Sequence, residues 1–110
     1  MRRIILALLV MSFPLAMATP VQAHGFEHCD ERRQRVSELK KDHATCDRAR
    51  KVARRYDQRR VDTGQFPSGG SEQVGRFTCR SEQTGKETWK VRCRRGGGEH
   101  ASRVRFDWGV

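Results

Sequence analysis

The chain has 110 residues, with 23 Lys or Arg against 13 Asp or Glu and a formal charge of +10. That length holds one domain and excludes most large catalytic scaffolds. At 35% apolar and 33% charged the chain is too polar for a membrane protein, and its four cysteines point to disulfides once it leaves the cytosol.

Residues 1–23 predict that export. Met1-Arg2-Arg3 is a short basic start, an apolar run follows from Ile4 through Met17, and Val21-Gln22-Ala23 presents small residues where a signal peptidase reads. A membrane anchor of the same length is the rival, disfavoured by Pro14, Pro20 and the cleavage-like end. The expectation is a signal peptide over 1–23 and a secreted or periplasmic domain over 24–110, with no transmembrane segment after cleavage. Cleavage removes only Arg2 and Arg3 from the basic residues, so the mature chain stays strongly cationic. It also removes every Met and Ile and leaves Leu39 as the single leucine. So thin a core calls for a covalent staple, which Cys29, Cys46, Cys79 and Cys93 can supply.

From Cys29 to about Arg60 there is no Pro or Gly, and Val36, Leu39, His43, Cys46, Ala49, Val52, Ala53 and Tyr56 recur at three- and four-residue steps. This pattern predicts helix over 29–61, as one long helix or as two broken near Asp42 to Thr45. Thr45 suits an N-cap, with Asp47 in the first turn. Residues 62–75 are rich in Gly, Ser and Pro and read as a loop.

The remainder, 76–108, alternates. Phe77 and Cys79, then Trp89, Val91 and Cys93, then Val104, Phe106 and Trp108 each share one face of a strand, and Gly-containing turns separate the three runs. A three-residue turn at Thr84-Gly85-Lys86 or a five-residue one keeps the apolar set on one face, whereas a two-residue turn does not. The expected fold is α+β: one or two N-terminal helices packed on a three-stranded antiparallel β-meander and stapled by disulfides. On a continuous helix Cys29 and Cys46 would stand roughly 25 Å apart, out of disulfide reach. A bridge from Cys46 to the hairpin is therefore favoured, with Cys29 taking the remaining hairpin cysteine. A Cys79–Cys93 hairpin bridge is possible in the five-residue register. No cysteine pair has the close spacing of a zinc knuckle.

Cys46-x2-Ala49-x2-Val52, then Gly75-Arg76-Phe77-Thr78-Cys79, Val91-Arg92-Cys93-Arg94 and Val104-Arg105-Phe106-Asp107-Trp108, form a pattern over residues 45–108. It resembles a group of small secreted bacterial proteins of unknown function, common in actinobacteria, with a Cys-x2-Ala helix before a Cys-containing hairpin. The resemblance implies compartment and layout and carries no activity.

The same alternation that buries the apolar set exposes Arg76, Arg80, Lys90, Arg92, Arg94, Arg103 and Arg105 on the opposite sheet face. Arginines two apart on a strand project together and match the repeated charges of an anionic polymer. The function predicted is a small cationic binding module for anionic polymers or surfaces; the alternative is an inhibitor or adaptor docking an acidic protein. Aromatic residues are not expected on that face, which disfavours sequence-specific single-strand binding.

No nucleotide-binding glycine loop, nucleophile elbow or paired-carboxylate motif is present, so neither an enzyme nor a cofactor is predicted. Three weaker signals stand beside this. His24, as a mature N-terminus, with His28 offers nitrogens to copper. Glu99, His100 and Arg103 suggest a nuclease-like trio. His43 reads as a helix residue on the apolar stripe rather than a base.

Overall fold

The computed structural model describes residues 25–110; the signal-peptide reading of 1–23 and the copper reading of His24 fall outside the described residues. Six strands and one helix follow in the order β1 (Glu27–His28), β2 (Val36–Asp42), α1 (Cys46–Thr63), β3 (Ser71–Val74), β4 (Phe77–Gln83), β5 (Thr88–Arg95) and β6 (Ser102–Gly109). All strands join one sheet in the order β1-β2-β6-β5-β4-β3, every neighbouring pair antiparallel. The α+β content is as expected; the three-stranded meander with one or two N-terminal helices is not. The predicted strands are half of a larger sheet, and the helix predicted over 29–61 begins only at Cys46.

The helix is set by its caps and its stripe. Thr45 is extended (φ −85°, ψ 156°) and its hydroxyl accepts from the Arg48 N–H at 3.1 Å, with Asp47 in the first turn. Gly64 ends it at φ 64°, donating its N–H to the Arg60 carbonyl. Ala49, Val52, Ala53, Tyr56 and Asp57 are the buried positions, one face at three- and four-residue steps. At about 27 Å for 18 residues, α1 is long enough to carry the chain from β2 near one sheet edge to β3 at the other. Its backbone comes nearest to β2, β6 and β3.

Residues 29–45 misled by their period. Val36 and Leu39 are both buried although three residues apart, because β2 carries a bulge: its register against β6 shifts between Ser37 and Lys40, and Glu38 sits at φ 52°. One extra residue in a strand turns a period of two into an apparent step of three. His43, at φ 50°, lies in the turn after β2 and not on a helical stripe. Within the expected loop 62–75, Ser71–Val74 forms β3, which turns tightly through Gly75 (φ 61°) into β4.

The disulfides are corrected too. Cys29 bonds Cys46, with Cα atoms 5.6 Å apart, and Cys79 bonds Cys93. The strand and turn that replace the helix bring Cys29 back to the start of α1, where its N–H donates to the Leu39 carbonyl at 2.8 Å. The hairpin bridge follows from the β4–β5 register, in which Cys79 faces Cys93 and Gln83 faces Trp89 across a five-residue connection. No cysteine of the described residues is free, and the two disulfides suit an oxidising environment. No described helix is long and apolar enough to cross a membrane.

One core fills the space between helix and sheet. Leu39, Val52, Phe77, Trp89, Val91 and Phe106 are all buried in it, with Tyr56 edge-on to Phe106 at 5.4 Å between centroids. At the centre of its polar border stands Asp57, fully buried on the helix. Its carboxylate accepts from Arg35 Nε (2.7 Å) and Nη2 (3.2 Å), Arg33 Nη1 (2.8 Å) and Trp108 Nε1 (2.8 Å). Burial pushes the Asp57 carboxyl up more than any other single influence. The hydrogen bonds from Arg35, Trp108 and Arg33, together with the Arg35 charge, outweigh it and hold the group below its ordinary value. The network ties α1 to the segment before β2 and to β6.

Candidate polyanion-binding face

With the helix on one side, the other side of the sheet is open. Cross-strand partners stand roughly 5 Å apart on it, and next-nearest residues of one strand about 7 Å. One row across five strands reads Arg80, Arg92, Arg105, Lys40 and His28. The neighbouring row reads Thr78, Arg94, Arg103 and Asp42. Three pairs of arginines, Arg80 with Arg92, Arg92 with Arg105 and Arg94 with Arg103, are thus placed directly opposite each other. Like charges so placed oppose folding.

Little acid relieves them. Among the described residues the one ion pair made by an arginine of this face is Arg92 with Glu82, at 4.0 Å. Arg94 donates to the Gly98 carbonyl at 3.4 Å. On the helical side more of the arginines are paired, Arg33 and Arg35 with Asp57, Arg50 with Asp47, Arg54 with Glu31, and Arg59 and Arg60 with Glu72, while Arg48, Lys51 and Arg55 make no ion pair among the described residues. The open face carries acid as well, Asp42 opposite Arg103 and Glu82 and Asp107 flanking Lys90, so the two faces differ in how their arginines are paired rather than in where the carboxylates lie.

Arg76, Arg80, Arg92, Arg94, Arg103 and Arg105 line one shallow groove of about 650 Å³, joined by Phe26, Thr78 and Gly96. Arg76 reaches it from the β3–β4 turn, the others from β4, β5 and β6. Lys90 does not belong: its row places it between Glu82 and Asp107, in mixed charge. The groove also has an aromatic wall. Phe26 covers the Arg105 guanidinium, with Arg105 Cζ 4.0 Å from the ring centroid, so the expectation of no aromatic on this face is corrected.

Phe26 and Lys40 are the residues that sequence reasoning missed. Lys40 was hidden by the bulge, which sets which of Lys40 and Lys41 faces outward. Phe26 lies just before a two-residue edge strand too short to show any alternation. The one available signal was Phe26's place two residues before His28, the same parity as the outward row.

His28 ends the cationic row on β1, exposed. His100 packs edge-on against His43 with centroids 5.5 Å apart, while Arg103 lines the groove on the sheet face. Among the described residues no group of three or more His, Cys, Asp or Glu is arranged to hold a metal ion. The cysteines are all in disulfides. Compared with known protein families, curated proteins and solved structures, the chain finds no match in any of the three.

Proposed function

We propose that the protein is an extracytoplasmic binding module that holds anionic polymers or surfaces against the open face of its sheet. The observation that carries this reading is the row of directly opposed, almost unpaired arginines. Folding sets them together against their mutual repulsion and surrounds them with a groove, a Gly-rich turn and one aromatic ring. Solubility needs no such arrangement, because scattered and ion-paired charges serve it as well. The disulfides and the signal-like start support a periplasmic or secreted setting.

Binding to double-stranded DNA or heparin across a salt series tests the reading. With four to six arginines engaged, log K for DNA is expected to fall against log salt with a slope of about −4 to −5. A slope near zero, or no binding at low salt, refutes it.

A second reading, docking on an acidic protein, is favoured by one specific feature. Phe66, Val61 and Val110 are exposed beside Trp108, Arg35 and Arg60, an apolar centre with a cationic border. Binding through that patch would be much less sensitive to salt than binding through the groove.

A further inference from the structure

We infer that the group recognised on the polymer is a multiply charged phosphoryl group, seated among the four arginines of β5 and β6. This deepens the polyanion reading and rests on it. Arg92 faces Arg105 and Arg94 faces Arg103, so the four arginines spring from Cα positions at the corners of a patch of roughly 5 by 7 Å, and all four line the same groove. Arg80 flanks the patch on β4, and Phe26 packs against the Arg105 guanidinium from the side of the first strand.

A guanidinium presents its donors as a flat fork and matches two oxygens of one anion. Several forks around one centre suit a tetrahedral group whose three free oxygens point in different directions. A carboxylate has two oxygens in one plane and a single charge, and it would leave most of the opposed pairs unrelieved. A phosphomonoester or the terminal group of a polyphosphate has three free oxygens and carries close to two charges at neutral pH, and it relieves more of them. The folded domain therefore holds repulsion that the ligand removes, and ligand binding and stability are linked.

Inorganic tripolyphosphate at low millimolar concentration is the probe, below the range in which salts stabilise proteins generally. At tenfold its dissociation constant it is expected to raise the melting temperature by about 5–10 °C. Arg92→Gln removes the cation that faces both Arg80 and Arg105. Without probe this variant should melt at or above the parent, and with probe its rise should be at most half the parent's. Arg105→Gln should behave in the same way. Lys51→Gln, which removes the same charge from the exposed helix surface, should respond like the parent.

A full response in both arginine variants, or an equal loss in Lys51→Gln, overturns the seat and leaves only net charge. No rise in the parent overturns it as well. If DNA or heparin is nonetheless bound through Arg92 and Arg105, the wider polyanion reading survives that result. Displacement of tripolyphosphate by polyglutamate or by heparin as readily as by polyphosphate would also sink the preference for phosphate.

Discussion

Asp57 is the residue whose removal tests the architecture most severely. The carboxylate is fully buried and gathers four hydrogen bonds, three from Arg33 and Arg35 and one from the Trp108 indole. In Asp57→Ala the Trp108 N–H loses its acceptor inside the core, which costs about 1–3 kcal/mol. Breaking a buried ion pair from one side costs about 3–5 kcal/mol where the surviving charge stays buried. Here the arginine side chains are 36% and 38% exposed and can rehydrate, so the lower end applies. The expected total is about 3 kcal/mol, or a fall in melting temperature of roughly 12–24 °C for a domain of this size. Thermal unfolding followed by near-ultraviolet circular dichroism, with both disulfides intact, reads it. The pH dependence adds a sign. Because the folded carboxyl titrates below its ordinary value of 3.8, its contribution is complete above that value and disappears as pH falls through the folded one. Asp57→Asn should therefore be destabilised at pH 7 and show a flatter loss of stability below pH 4. If Asp57→Ala melts within about 3 °C of the parent, helix and sheet are not tied through this group.

Phe106→Ala should cost about 3–5 kcal/mol, since Phe106 lies between Tyr56 and the sheet at 1% exposure, and unchanged melting would mean that the core is centred elsewhere. Replacing Cys29 and Cys46 together by Ala frees a 17-residue segment and is expected to cost about 2–5 kcal/mol; a parent-like denaturant midpoint would contradict the role of that bridge. Phe26→Ala should lower the melting temperature by about 2–8 °C, the worth of one exposed cation–π contact, and should also weaken DNA or heparin binding, because the Arg105 guanidinium loses the ring it packs against. Unaltered binding would remove Phe26 from the groove wall.

Period-two alternation made β4, β5 and β6 legible, because side chains on a strand with one buried face must alternate. It also separated the outward arginines from the inward aromatics, and the structure puts six of the seven basic residues named from it in one groove. Lys90 shares their parity but is placed by pairing between Glu82 and Asp107, which only the register reveals. The bulge at Glu38 defeated the same logic in β2: Val36 and Leu39 at a spacing of three imitate a helix in a stretch without Pro or Gly. The cysteine pairing failed in consequence, since it was excluded on the length of a helix that does not form. β3 offers one buried apolar residue, Val74, too few to show a period. Asp57 was visible as an acid four residues beyond Ala53 on the apolar stripe; its partners Arg33 and Trp108, 24 and 51 residues away, were not.

The arginine face is tested most directly by moving the same charge change from one side of the molecule to the other. Arg50 and Arg54 are poor controls, because they bind the Asp30 carbonyl and Glu31 and help hold the fold. Arg48 and Lys51 are exposed and make no ion pair among the described residues, so Arg48→Glu with Lys51→Glu is the reference. Arg92→Glu with Arg105→Glu is the test, both pairs changing net charge equally. DNA affinity measured across a salt series should show the sheet pair losing binding and its salt slope flattening by about two units, one for each phosphate that is no longer neutralised. The helix pair should keep the parent's slope. Equal weakening by both pairs would leave a basic protein without a site, and no weakening by either would contradict polyanion binding through the sheet.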